Sequence, residues 1–309
     1  MPRETAAVAV IGLGAMGGPM AKNLLRAGFR VRGYDLSPAA CRALAEAGGE
    51  PAPSPAAAAR EAELLHVVVA SADQVEAALF GEDGAVAGLP RGSVVLLHST
   101  VPPRFARDLA ARLSSTGHPL LDAPISGGRV RAEAGTLTVM ASGPAAAFAA
   151  AERALAAIAA KVFRLGEEAG IGSSVKMINQ LLAGVHIAAA CEAMALAVRA
   201  GVDPDRVYEV IRESAGNSWM FENRVPHILA RDFTPLSAVD IFVKDLGIVL
   251  DAGREWRFPL PLAAAAHQQY LAAAAMGLGR DDDSSVVRVY ERLAGIEVRG
   301  RRRDEAQGR

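Results

Sequence analysis

A chain of 309 residues with Lys+Arg 33 against Asp+Glu 34 carries no net field to draw in phosphate backbones or anionic lipid, and its 5% aromatic content offers no stacking platform for single-stranded nucleic acid. The partners expected are small molecules, with neither nucleic acid nor membrane among them. The length exceeds what one core usually serves, so two domains are expected; Cys41 and Cys191, far apart and outside any CxxC pair or ligand cluster, point to a reducing, cytoplasmic setting and to no metal site.

Along the first half, short β-branched runs alternate with alanine-rich helical patterns, as in a parallel sheet covered on both faces. Strands are expected at Ala7–Ile11, Arg30–Tyr34, Leu64–Ala70, Val94–Leu97 and Leu120–Asp122, with later ones at Leu137–Ala141 and Val162–Leu165. Ser37-Pro38, Ser54-Pro55 and Asp203-Pro204 read as helix starts, a cap followed by proline at the first helical position. After Leu165 the strand signal ends. The expected domains are 1–166, α/β, and 167–298, all-helical, followed by a loose basic tail at 299–309. Leu181 to Val198 is apolar but interrupted by His186 and Glu192, which predicts a buried helix, with His186, Cys191 and Met194 in core or interface positions.

The hexad Gly12-Leu13-Gly14-Ala15-Met16-Gly17 follows the first strand and enters a helix that Gly28 stops. Gly12 permits the tight turn, Gly14 lets the backbone approach a pyrophosphate, and Gly17 lets helix pack closely on strand. The unpaired amides there, at the positive end of the helix dipole, suit a phosphate, so a Rossmann doubly wound domain is expected. Asp35, ending the second strand, stands where a carboxylate accepts hydrogen bonds from a ribose. It should repel a 2′-phosphate, which selects NAD over NADP despite Arg32 nearby. Its alternative task is to cap the helix at Pro38, for which Ser37 is better placed. Thr100, past the strand Val94–Leu97, either contacts the nicotinamide ribose or caps the helix after Pro102-Pro103.

Asp122-Ala123-Pro124-Ile125-Ser126-Gly127-Gly128 also follows a strand. The amides of Ser126, Gly127 and Gly128 with the Ser126 hydroxyl can hold a carboxylate, or form an ordinary glycine turn. Within Gly172-Ser173-Ser174-Val175-Lys176-Met177-Ile178-Asn179, Lys176 and Asn179 share a helix face among apolar neighbours. Desolvation there lowers an amine's pKa, as a general base for an alcohol proton requires, with Asn179 holding the hydroxyl; a lysine snorkelling beside a polar neighbour is the other reading. Lys244, four residues after Asp240, is either a site cation or half of a surface ion pair.

Taken together these segments resemble the β-hydroxyacid dehydrogenase family, which includes 3-hydroxyisobutyrate dehydrogenase and tartronate semialdehyde reductase. The resemblance covers nearly the whole chain: the cofactor turn Gly12 to Gly17, the substrate loop Asp122 to Gly128, the GxxxKxxN pattern at Gly172, Lys176 and Asn179, and the KDL at Lys244 to Leu246. It implies an NAD-dependent enzyme oxidising a small hydroxy acid, with Lys176 as acid/base. It also implies Lys244 near cofactor and substrate, Thr100 on the nucleotide, a helical second domain and a homodimer or homotetramer. The segments 180–187, 215–224 and 238–246 are most similar to members acting on L-threonate. A polyhydroxy acid needs polar partners, which Asn217, Ser218, Asn223 and His186 can supply. A related imine reductase is expected to lack the lysine. A non-catalytic NAD-binding sensor is free to lose Lys176, Asn179 and Lys244 together, and all three are present.

Overall fold

The computed structural model describes residues 6–301, and the chain divides into two compact units between Met177 and Ile178. The first unit runs β1 (Ala7–Ile11), α1 (Gly17–Arg26), β2 (Arg30–Tyr34), α2 (Pro38–Glu46), β3 (Glu50–Pro51), α3 (Pro55–Ala59), β4 (Leu64–Val67), α4 (Ala72–Phe80), β5 (Val94–Leu97) and α5 (Pro103–Ser115). It continues with β6 (Leu120–Asp122), β7 (Ile125–Ser126), α6 (Gly128–Ala134), β8 (Leu137–Ala141), α7 (Ala145–Ile158) and β9 (Ala159–Arg164), and it takes the first turns of α8 (Ile171–Arg199).

Six strands form one sheet in the order β3-β2-β1-β4-β5-β6, every neighbour parallel, with Val8 opposite both Val31 and Leu64. β1, β4 and β5 are buried along their whole length, as central strands covered on both faces must be. Alternate residues serve opposite cores: Val8, Val10, Leu64 and Leu96 pack with Met20 and Leu24 of α1, while Ala9, Ile11, Leu65 and Leu97 pack with residues of α3, α4 and α5. This is a Rossmann fold, and its strand order reverses between β1 and β4, which opens a crevice at their carboxyl ends. A second sheet, β7-β8-β9, pairs β7 antiparallel and β9 parallel to β8.

The second unit is helical: the rest of α8, then α9 (Pro204–Ile211), α10 (Trp219–Ala230), α11 (Val239–Trp256), α12 (Pro261–Ala273) and α13 (Val287–Ala294). Tyr270 of α12 is fully buried, stacks on Phe242 of α11 at 5.2 Å between ring centroids and donates its hydroxyl hydrogen to the Gly184 carbonyl of α8 at 3.0 Å. Cys191 and Met194 are buried and His186 is half-buried. By length and composition α8 is apolar enough to cross a membrane, and half of its most apolar stretch is buried in the fold.

Ser37, Ser54 and Asp203 cap α2, α3 and α9, each with proline at the first helical position. β4 ends at Val67 rather than Ala70, because the next free amides turn to side chains: Val69 N donates to Ser99 Oγ at 3.1 Å and Ala70 N to Gln74 Oε1 at 2.8 Å. β9 starts at Ala159, earlier than expected, on an exposed edge with a register shift opposite Leu137 and Thr138. β3 and β7, two residues each, are too short to leave a pattern. The basic tail is tied at its start: Gly300 N donates to the Leu229 carbonyl at 3.0 Å and Arg301 N to Asp205 Oδ2 at 2.7 Å. Its remainder, 302–309, lies outside the described residues.

Candidate active site

The turn after β1 is built for close approach. Gly12 adopts φ +92, and a Cβ on Gly17 would lie 1.8 Å from the Gly12 carbonyl oxygen, so helix α1 sits against the strand only because that atom is missing. At Gly14 a Cβ would meet nothing within 4 Å, which leaves the face of the turn open. No side chain caps α1; Gly18 N and Met20 N go to the Gly14 and Met16 carbonyls and Pro19 has no N–H, so the amides of the turn itself, Gly14 to Gly17, are those that can face an anionic group. Beside them a cleft of about 500 Å³ is lined by Leu13, Gly14, Ala15 and the basic Lys22, Arg26 and Arg129. Asp35 follows β2 and bridges two amides, accepting from Leu13 N and Ser37 N at 2.7 Å each. Ser37, not Asp35, caps α2. The donors, the open face and the acidic side chain at the end of β2 together fit a dinucleotide.

Thr100, half-buried, follows β5, and the cap position of α5 is Pro102, so Thr100 is not that helix's cap. Ser126 ends β7, with Gly127 and Gly128 at the start of α6.

Asp122, at the end of β6, was anticipated only as part of the loop motif. Its carboxylate is fully buried and holds the start of α8, accepting from Gly170 N at 2.8 Å, Ser173 N at 2.9 Å and Ser173 Oγ at 2.7 Å. Ser142 Oγ accepts from Gly172 N at 3.0 Å. Burial pushes the Asp122 carboxyl above its usual range, and the bonds from Ser173 and Gly170 oppose this. A Cβ on Gly172 would fall 2.5 Å from the Met140 carbonyl oxygen and 2.6 Å from that of Asp122, so glycine here lets the helix end seat against the strands. Lys176 lies on the turn that follows and is 7% exposed. Spacing along the chain carries no trace of Asp122, which meets Ser173 across 51 residues.

In the second unit, Asn179 Nδ2 donates to Gln180 Oε1 at 3.0 Å, and Gln180 Nε2 donates to Asp245 Oδ2 at 2.5 Å. The other Asp245 oxygen pairs with Lys244 Nζ at 2.5 Å. The α8 and α11 motifs are thereby joined through Gln180 and Asp245, two residues to which the motifs alone assigned no role. The polar residues proposed to line a sugar-acid chain have local tasks. Ser218 Oγ caps α10, accepting from Phe221 N at 3.0 Å. Asn217 donates to the Arg212 carbonyl and to Glu222, and Asn223 Oδ1 accepts from Arg224. Among the described residues there is no group of three or more His, Cys, Asp or Glu placed to hold a metal ion.

Residues 7–166 match the family described as the NAD binding domain of 6-phosphogluconate dehydrogenase, and residues 170–290 that described as the NAD-binding domain of NADP-dependent 3-hydroxyisobutyrate dehydrogenase. The chain is 57% identical over 294 residues to an L-threonate dehydrogenase of Cupriavidus necator, covering 95% of this chain and 98% of that one. It is 48% identical to an L-threonate dehydrogenase of Escherichia coli, covering 92% and 94%. A crystal structure of 3-hydroxyisobutyrate dehydrogenase from Salmonella typhimurium superposes with a TM-score of 0.87 at 47% identity, covering 92% of this chain and 99% of that one. With the dinucleotide turn, the parallel sheet and the helical second unit in place, the chain belongs to the 3-hydroxyisobutyrate dehydrogenase-related family and is an NAD-dependent hydroxyacid dehydrogenase.

Proposed function

We propose that the protein oxidises the C2 hydroxyl of L-threonate to the 2-keto acid, 2-dehydro-L-erythronate, with Lys176 as general base. One observation carries the chemistry: Lys176 is buried on a helix whose first turn is fastened by Asp122 to the carboxyl edge of the parallel sheet, the edge at which nucleotides bind. Gly12 to Gly17, with Leu13, Ala15 and Met16, would hold the cofactor pyrophosphate. Asp35 would accept from the ribose hydroxyls, and Thr100 and Lys244 would touch the nucleotide. Bound NAD supplies the acceptor for the hydride that leaves C2.

Ser126, Gly127 and Gly128 hold the substrate carboxylate, Asn179 a hydroxyl, and Lys244 balances the negative charge. Lys176 takes the C2 hydroxyl proton, and the electron pair of the broken O–H bond becomes part of the new carbonyl. The keto group is α to the carboxylate, so no β-keto acid forms and the carboxylate stays. The two L-threonate dehydrogenases at 57% and 48% identity support the substrate. A second reading, 3-hydroxyisobutyrate, is favoured by the name of the Salmonella structure and by the local tasks of Ser218 and Asn223.

We place the cofactor domain at 1–166 and the substrate and oligomerisation domain at 167–298, in a cytoplasmic homodimer or homotetramer. Exposed Ile178, Leu182 and Leu196 on α8 support self-association. The test is NADH absorbance with L-threonate, 3-hydroxyisobutyrate and D-glycerate. L-threonate should give the highest kcat/KM, and finding it the poorest of the three refutes the substrate. Lys176→Ala should lower turnover by about 10²–10⁴-fold with NADH binding intact, and near-normal turnover would remove Lys176 from the mechanism.

A further inference from the structure

We propose that Gln180 and Asp245 are positioning residues that fix the polarity of the Asn179 side chain, so that its carbonyl oxygen is the atom offered to a substrate hydroxyl. The four residues form an unbroken chain within the second unit: Lys244 Nζ to Asp245 Oδ1, Gln180 Nε2 to Asp245 Oδ2, and Asn179 Nδ2 to Gln180 Oε1. Asp245 is 2% exposed and Gln180 8%, so water does not replace these partners.

The order of donors follows from what each group can do. The Asp245 carboxylate, beside Lys244 Nζ, has lone pairs and no hydrogen, so it only accepts. Gln180 must therefore turn its NH₂ toward Asp245, which leaves Oε1 facing Asn179. An amide oxygen only accepts, so Asn179 must donate from Nδ2, and its Oδ1 is committed to the opposite side as an acceptor. Without the carboxylate the acceptor that sets this order of donors is gone, and the Asn179 side chain loses the constraint that reaches it through Gln180.

An acceptor suits a hydroxyl that keeps its proton. If Lys176 removes the C2 proton, the hydroxyl held by Asn179 is a neighbouring one, and a ketone at that position, having no hydrogen, is refused. The inference rests on the reading above that Asn179 contacts the substrate. Asp245 carries two duties, one oxygen for the Gln180 branch and one for Lys244, so the branches can be cut separately.

The test uses full-length Asn179→Ala, Gln180→Met, their double variant and Asp245→Asn, with kinetics for L-threonate, NADH affinity by fluorescence, and the rise in Tm that L-threonate gives in the presence of NADH. Gln180→Met should lower kcat/KM for L-threonate by about 10–100-fold, the worth of a charge-assisted hydrogen bond. It should also shrink the threonate-dependent rise in Tm and leave NADH affinity unchanged. Asp245→Asn should weaken NADH as well, because it also releases Lys244. The double variant should match Asn179→Ala alone in kcat/KM for L-threonate, since the relay reaches the substrate through Asn179. Losses that add, or a Gln180→Met enzyme with normal kcat/KM beside a damaged Asn179→Ala, would overturn the relay. A normal Asn179→Ala would instead overturn the substrate role of Asn179, and the relay's purpose with it. Should Gln180→Met not fold, Gln180→Glu keeps the size but when ionised cannot donate to Asp245, and the same loss is expected.

Discussion

Asp35 has a structural task of its own. By accepting from Leu13 N and Ser37 N it ties the cofactor turn to the end of β2 and to the cap of α2. Asp35→Ala should accordingly weaken NADH and NADPH together by loosening the turn, with NADH the more affected because it also loses the ribose acceptor. Fluorescence titration of both cofactors checks this, and an unchanged ratio of affinities would deny Asp35 the ribose. The glycine turn and Asp35 were legible in the chain because a backbone needing close approach and a charge at a strand end leave a local mark. The tasks of Asp122, Gln180 and Asp245 left none. Each lies within a stretch that was noticed, yet its partner is 51 or 65 residues away, a distance that spacing arguments do not span.

At the scale of elements, α8 is held at its first turn rather than by its propensity. Its start reads Ile171-Gly172-Ser173-Ser174, with no acidic residue in the first turn, so the negative charge that favours a helix N-terminus arrives from β6 through Asp122. Asp122→Ala strands three buried donors, at a cost of about 3 kcal/mol, and lets the turn carrying Lys176 drift. Urea unfolding should record the loss and turnover should fall further than the folded fraction explains; a change below about 1 kcal/mol would refute the lock. Helix starts with a serine or aspartate before proline were readable because cap and proline act within four residues. β3, β7 and the early stop of β4 were not, being decided by sheet neighbours and by Ser99 and Gln74.

At the scale of the molecule, two buried clusters, one in each unit, carry opposite responses to acid. In the first, His98 Nδ1 donates to the Ala123 carbonyl at 2.7 Å, so its Nε2 accepts from His66 Nδ1 at 2.9 Å, and both rings are neutral. Burial holds His98 down at about 4, and His66 well below its ordinary value through burial and the neighbouring His98. Both bind protons more readily when unfolded, so stability is full above about pH 6.5 and falls as pH drops toward 4. His98 alone accounts for about 2 kcal/mol by pH 5. In the second unit, burial raises Asp283 to about 6 against the opposing pull of Arg224, so its folded form holds a proton that the unfolded chain releases. That contribution grows as pH falls from 6 to about 4. Both tryptophans, Trp219 and Trp256, belong to the second unit. Acidification to pH 5 should speed hydrogen exchange in β4 and β5 while tryptophan fluorescence holds; simultaneous loss of both signals would contradict the opposed signs.

The 29-residue span of α8 also dictates which length changes the chain tolerates. Each helical residue adds about 100° of turn and about 1.5 Å of rise, so one residue inserted between Met177 and Ile178 moves Asn179 off the helix face it shares with Lys176. The same insertion in the exposed stretch Ser214–Gly216, outside any helix, changes only a loop. Insertions and deletions accumulating in this family should therefore crowd into such loops and spare the interval from Gly172 to Gln180, where the helix keeps time for the chemistry.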